Sequence, residues 1–212
     1  NSDGHGSYEP DVTSYDYDSP LDESGRPTAK YLLFRDVIAK ATGVTPPPVP
    51  EVAAPISVPS VALTESASLW ANLPAPIHSK QVLSMEDVDQ AYGYILYRTH
   101  LKQAAAGTLA LDELHSYAQV YLDGKLIGTI DRRLKQNTLA LPAVKRKAQL
   151  DILVENTGRV NFGHAITGER AGITKQVTLN GTALMGWEIY SLPMTAVDKL
   201  PYSDKPCSGA CF

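Results

Sequence analysis

LDILVENTGRVNFG, residues 150–163, joins a clean strand pattern to a loop of quite different composition. Leu150, Ile152 and Val154 alternate with Asp151, Leu153 and Glu155, the period of a strand that turns one face into a core. The pattern stops at Asn156, Thr157 and Gly158, turn formers that accept left-handed or capping conformations. Arg159, Asn161 and Phe162 then place a guanidinium, an amide and an aromatic ring on one loop tip, groups able to cradle a polyhydroxylated ring. The same polar groups also serve to satisfy backbone donors and acceptors at a strand corner, and both readings stand at this stage.

Working outward, residues 92–101 (YGYILYRTHL) read as a strong strand, and residues 117–122 run into Asp123-Gly124, a tight-hairpin signature, returning over 125–131. Further strands are predicted over 138–141, 149–155, 160–166 and 176–179. Asn180-Gly181 marks a second hairpin that returns through 182–192. A short strand is also expected over 61–64, and Ser84 with Asp87 is spaced to cap a helical turn. Many short strands, regular turn signals and little helix predict a mainly β fold, an antiparallel jelly-roll β-sandwich over residues 61–192.

Upstream the character differs. Residues 12–17 (VTSYDY) alternate like a short strand, and a loop leads to Thr28 as an N-cap. Leu33, Phe34, Val37, Ile38 and Ala41 recur at helical spacing until Gly43 stops the helix. One strand and one helix cannot enclose a core, so residues 1–43 read as the last unit of something larger. Residues 44–60 are proline-rich, with TPPPVPEVAAPISVP at 45–59, an extended and fairly stiff connector.

Composition narrows the function classes. With 212 residues, 43% hydrophobic, 20% charged and a net charge of −4, the chain has no basic stripe and is not expected to bind nucleic acid. No apolar run reaches the ~20 residues that span a bilayer, and residues 1–10 do not resemble a signal peptide. His78, His100, His115 and His164 lack ligand spacing, so neither a metal nor another cofactor is expected. Cys207 and Cys211 are too few for zinc, and a local disulfide is possible in an oxidising compartment. Asn180-Gly181-Thr182 is a glycosylation sequon whose residues the hairpin already explains.

Four segments, TSYDYDSPLDESG, YGYILYRTHL, LDILVENTGRVNFG and VTLNGTALMGWEIYSLPM, together resemble successive landmarks of the β-galactosidases of glycoside hydrolase family 35. The resemblance implies a retaining exo-enzyme acting on terminal β-galactosides of oligosaccharides, with a (β/α)8 barrel followed by galactose-binding-like sandwiches. On it, residues 1–43 are the last strand and helix of a truncated barrel. Residues 61–192 are the first sandwich, and 193–212 lead toward a further one. Tyr17 matches the tyrosine that lines the galactose pocket at the end of the last barrel strand, where such sites form. Arg159, Asn161 and Phe162 are expected on the aglycone side. Retaining glycosidases need two carboxylates about 5 Å apart. The family's glutamates lie in motifs resembling NEYG and TEFW, neither of which occurs here, so no catalytic residue is assigned. The expected partners are the substrate and the rest of the barrel, and the expected location is extracytoplasmic. The alternative is a stand-alone carbohydrate-binding or structural module, for which Tyr92, Tyr94, Trp187 and Tyr190 would have to form an exposed aromatic row.

Overall fold

In the computed structural model, which describes residues 8–9, 17–102 and 106–212, two antiparallel sheets lie over a shared apolar core. The strands among the described residues are β1 (Ile77–Ser79), β2 (Tyr94–Leu101), β3 (Gly107–His115), β4 (Tyr117–Leu122) and β5 (Lys125–Asp131). They continue as β6 (Thr138–Leu141), β7 (Ala148–Glu155), β8 (Gly172–Leu179), β9 (Thr182–Ala183) and β10 (Trp187–Leu192). One sheet has the order β1-β10-β2-β7-β4-β5 and the other β6-β3-β8-β9. This is the antiparallel β-sandwich that the turn spacing predicts. Both hairpin signatures hold: Asp123-Gly124 and Asn180-Gly181 have positive φ at both positions, as the primed turns that match strand twist require.

Inward-facing residues alternate as strand geometry demands. Ile95 and Tyr97 of β2, Ala118 and Val120 of β4, and Leu150, Ile152 and Val154 of β7 meet Leu109 and Leu111 of β3 and Ile173 and Val177 of β8. The Tyr97 hydroxyl ties the layers together. It donates to the Leu83 carbonyl at 2.7 Å and accepts from the buried Ile173 N–H at 3.0 Å. Burial pushes its pKa above the phenolic range.

The alternation in β7 predicts one buried face, but both are covered. On the outer face, Leu96, Leu153, Tyr121, Tyr190 and Leu192 form a second apolar cluster with Leu69. Its cover comes from the segments before β1 and after β10, which supply Trp70, Leu73, Met194 and Phe212. Ser66 and Ser203 exchange backbone hydrogen bonds, as do Ala67 and Phe212, so residues 203–212 return to residues 66–69. Cys207 and Cys211 are joined in a disulfide within that returning segment.

Three readings need correction. Residues 61–64 pair with nothing and form no strand, and Leu63 is fully open to solvent. Residues 160–166 form an isolated bridge at Phe162 but no strand, and end in a 3-10 turn, His164–Ile166, because the glycine at 163 and the bracing of the loop described below keep the pairing from extending. The whole of β3, the strand between β6 and β8, went unrecognised: its bulge at Glu113, with φ 58°, shifts the alternation out of phase. Its Leu, Ala and Glu content is also helical in preference.

The unit Asp11–Ala62 is described by itself. Asp22 shapes its loop by accepting from the Ser24 and Arg26 amides, both at 2.9 Å. Helix α1 (Ala29–Thr42) follows, ending at the left-handed Gly43 as expected. Its apolar residues Leu33, Val37 and Ile38 remain exposed. The strand expected over residues 12–17 lies, except for Tyr17, outside the described residues.

Tyr97→Phe should cost about 1–3 kcal/mol, because it strands the buried Ile173 N–H while leaving the ring packing intact. Urea denaturation would measure it, and a loss near zero would show that the hydroxyl does not join the sheets.

Candidate functional site

Beyond β7 the chain enters a loop whose polar groups are almost all engaged. Asn156 anchors its start: its N–H reaches the Gly93 carbonyl at 3.1 Å, and its side-chain oxygen accepts from the Gly158 N–H at 3.0 Å. The Tyr8 hydroxyl donates to the Gly158 carbonyl at 2.7 Å and lies 2.9 Å from the Thr157 hydroxyl. The Arg132 guanidinium stacks over the Tyr8 ring at 4.3 Å and donates to Glu169 at 2.7 Å, with His115 Nδ1 on the same carboxylate at 3.4 Å.

The Arg159 guanidinium lies on protein groups. Its Nε and Nη2 donate to Glu86 Oε1 at 2.8 and 2.6 Å, and Nη1 donates to the Ala91 carbonyl. Glu86 also accepts from the Ala171 N–H at 3.1 Å, which pins the far end of the loop. Arg170 pairs with Asp87. Asp87 in turn accepts from the Ser84 N–H and hydroxyl at 3.0 Å, the cap predicted from their spacing. Two arginine–carboxylate clamps, Arg159–Glu86 and Arg132–Glu169, therefore hold both limbs of the segment between β7 and β8.

What this frame leaves outward is apolar. Phe162 is 67% exposed and Ile166 stands half-exposed, while Val160 is buried. Asn161, also on the loop surface, has a partner of its own. Tyr17 belongs to the other unit, where it occupies a turn with its ring 71% exposed. Sequence reasoning found Arg159 and Phe162 but not their supports, Tyr8, Glu86, Arg132 and Glu169. The members of these contacts lie 37 to 149 positions apart, and no local pattern signals them.

The carboxylates in this frame are held as anions. Burial would raise Glu86, but the hydrogen bonds from Arg159 and the Ala171 amide outweigh it and lower the pKa. Burial would likewise raise Glu169, and His115 and Arg132 bring it from 4.5 down to about 2. A general acid near neutral pH needs the opposite shift, so neither carboxylate is suited to that part.

Residues 82–193 match the family described as the β-galactosidase first all-beta domain, and residues 1–41 match glycosyl hydrolases family 35. The chain belongs to the family 35 β-galactosidases. Among its relatives, a β-galactosidase of Xanthomonas manihotis is 43% identical over 206 residues, covering 97% of this chain and 34% of that protein. The β-galactosidase-1-like protein 2 of Homo sapiens is 36% identical over 88% of this chain and 30% of its own length. The β-galactosidase of Bos taurus has the same three values. The chain thus spans about a third of these family members. Among solved structures, a GH2 β-galacturonidase of Eisenbergiella tayi gives a TM-score of 0.33 at 13% identity, over 56% of this chain and 25% of that one.

Because the Glu169 pKa is depressed, its stabilising effect is complete above the unfolded value near 4.5 and fades as pH falls from there toward 2. Glu169→Gln should therefore lower stability at pH 7 by roughly 2–3 kcal/mol, given a side chain almost wholly buried. The gap to the parent chain should narrow below about pH 4.5. Denaturation at a series of pH values would check this, and a gap independent of pH would assign the loss to packing instead.

Proposed function

We propose that this chain serves in hydrolysis of terminal β-galactosides by a retaining exo-β-galactosidase, contributing substrate-contacting surface and no catalytic carboxylate. The observation that carries the proposal is the outward Phe162 ring on a loop clamped at both limbs. A rigid frame with an exposed aromatic at its tip is what ring stacking on a sugar requires, since the frame has no ordering cost to meet at binding.

In this reading residues 1–43 are the closing strand and helix of the catalytic barrel, and Tyr17 contributes its ring and hydroxyl to the galactosyl site. Phe162 and Asn161 meet the aglycone, and Arg159 acts by holding the loop through Glu86 rather than by reaching the sugar. The Cys207–Cys211 disulfide supports an extracytoplasmic setting, since such bonds persist in oxidising compartments. A stand-alone carbohydrate-binding module fits less well. Of the aromatic row it needs, Trp187 and Tyr190 are buried.

Two outcomes test the proposal. The purified 212-residue chain should not turn over a chromogenic β-galactoside, because neither glutamate motif is present to give nucleophile and acid. Reproducible turnover that survives further purification would overturn this. In a longer protein that contains this chain and hydrolyses galactosides, Phe162→Ala should weaken discrimination among disaccharide linkages by ~1–3 kcal/mol, with a small aryl galactoside less affected. Equal losses on both substrates would mean a structural role for the ring, and no loss on either would remove the loop from the site.

A further inference from the structure

The outer face of the six-stranded sheet carries two carboxylates on one strand, and only one of them has a cation. Direct partners across a ladder share a face, so β2, β7 and β4 set up three rows there. Arg98, Asp151 and Tyr121 form one, Leu96, Leu153 and Gln119 the next, and Tyr94, Glu155 and Tyr117 the last. In the first row, Arg98 donates to Asp151 at 2.6 Å. In the last row the position equivalent to Arg98 is Tyr94 and the position opposite is Tyr117. Among the described residues no lysine, arginine or histidine pairs with Glu155.

Instead a cavity of about 480 Å³ opens beside that row. Tyr94, Tyr117, Tyr121, Phe212, Glu155 and Met194 contribute to its wall, and among the described residues no basic side chain does. The C-terminal segment, with Cys211 and Gly209, forms another side. Burial and then the charge of Glu155 push the Tyr94 hydroxyl above its ordinary range, so the carboxylate is felt inside the cavity.

We propose that this cavity is a binding site for a small organic ammonium ion, with the charge of Glu155 and the faces of the surrounding aromatic rings as its recognition elements. Electron-rich ring faces attract a cation, and a half-buried carboxylate that meets the Tyr94 hydroxyl but no cation among the described residues adds its charge at the same place. The volume falls within the range of small-molecule sites. An anion would meet the charge of Glu155 with no basic residue in the described lining to offset it. A neutral polyol would leave the carboxylate charge uncompensated. The site is separate from the function proposed above and stands or falls without it.

Titration of the 212-residue chain with choline chloride, followed by NMR of the tyrosine rings and by calorimetry, tests the proposal. Saturable one-to-one binding is expected, with 3,3-dimethyl-1-butanol, the uncharged isostere, at least about tenfold weaker. Glu155→Gln should weaken choline by a similar factor. Should that variant misfold, the isostere comparison on the unaltered chain decides the matter alone. Absence of saturable choline binding, equal binding of the isostere, or binding of galactose in place of choline would each overturn the proposal.

Discussion

Asp151 is a carboxylate with no solvent exposure in the middle of a sheet, and the architecture around it follows from keeping that charge answered. Arg98 does so from the adjacent strand, and Gln149 adds a hydrogen bond at 2.7 Å. The guanidinium lies in turn 5.9 Å from the centre of the Trp70 ring and 5.3 Å from that of Tyr190. Removing one member of such a pair typically costs ~3–5 kcal/mol, because the other is left charged and dry. The pair therefore fixes the register of β2 on β7 and seats the turn that carries Trp70. Around it, what would be the wet side of an ordinary sandwich becomes a second, smaller core. β7 ends up covered on both faces, which is unusual for an antiparallel strand and gives the loop beyond it an immovable base.

That base explains how the loop can be irregular yet ordered. No strand forms after Asn156, so the loop's order comes from side chains in other parts of the chain, Tyr8, Glu86 and Arg132, the last acting on the loop's own Glu169. Each arginine in the frame is matched to a carboxylate with good geometry and partial burial, the setting in which ion pairs contribute most reliably. Polar capacity is used inward, and the surface left at the tip is the apolar ring of Phe162.

The parts of this arrangement that the sequence discloses are those encoded over short distances. Alternation located β2, β4, β5, β6 and β7, and Asp123-Gly124 and Asn180-Gly181 located their hairpins. Ser84 and Asp87 disclosed a cap, and Gly43 a helix end. Where a local rule was broken by a long-range demand, the reading failed. The bulge at Glu113 hid β3, and the apolar residues Val160, Phe162 and Ile166 looked like a strand when one is core and two are surface. Arg159 was legible as a loop cation but not as the partner of Glu86, since nothing nearby in the sequence marks that carboxylate. The second face of β7 was visible in principle in Leu153, but the segment that covers it arrives from residues 203–212.

The meeting of residues 66–69 with residues 203–212 brings the chain that precedes β1 and the chain that follows β10 to one spot, across a few backbone hydrogen bonds. A body with adjoining ends behaves as a plug-in: it can sit within a longer polypeptide without prising apart whatever flanks it. It also has no topological need for its present order of elements. A short bridge between those ends, with a new opening at the exposed Asp123-Gly124 turn, would preserve every ladder in both sheets as a circular permutant.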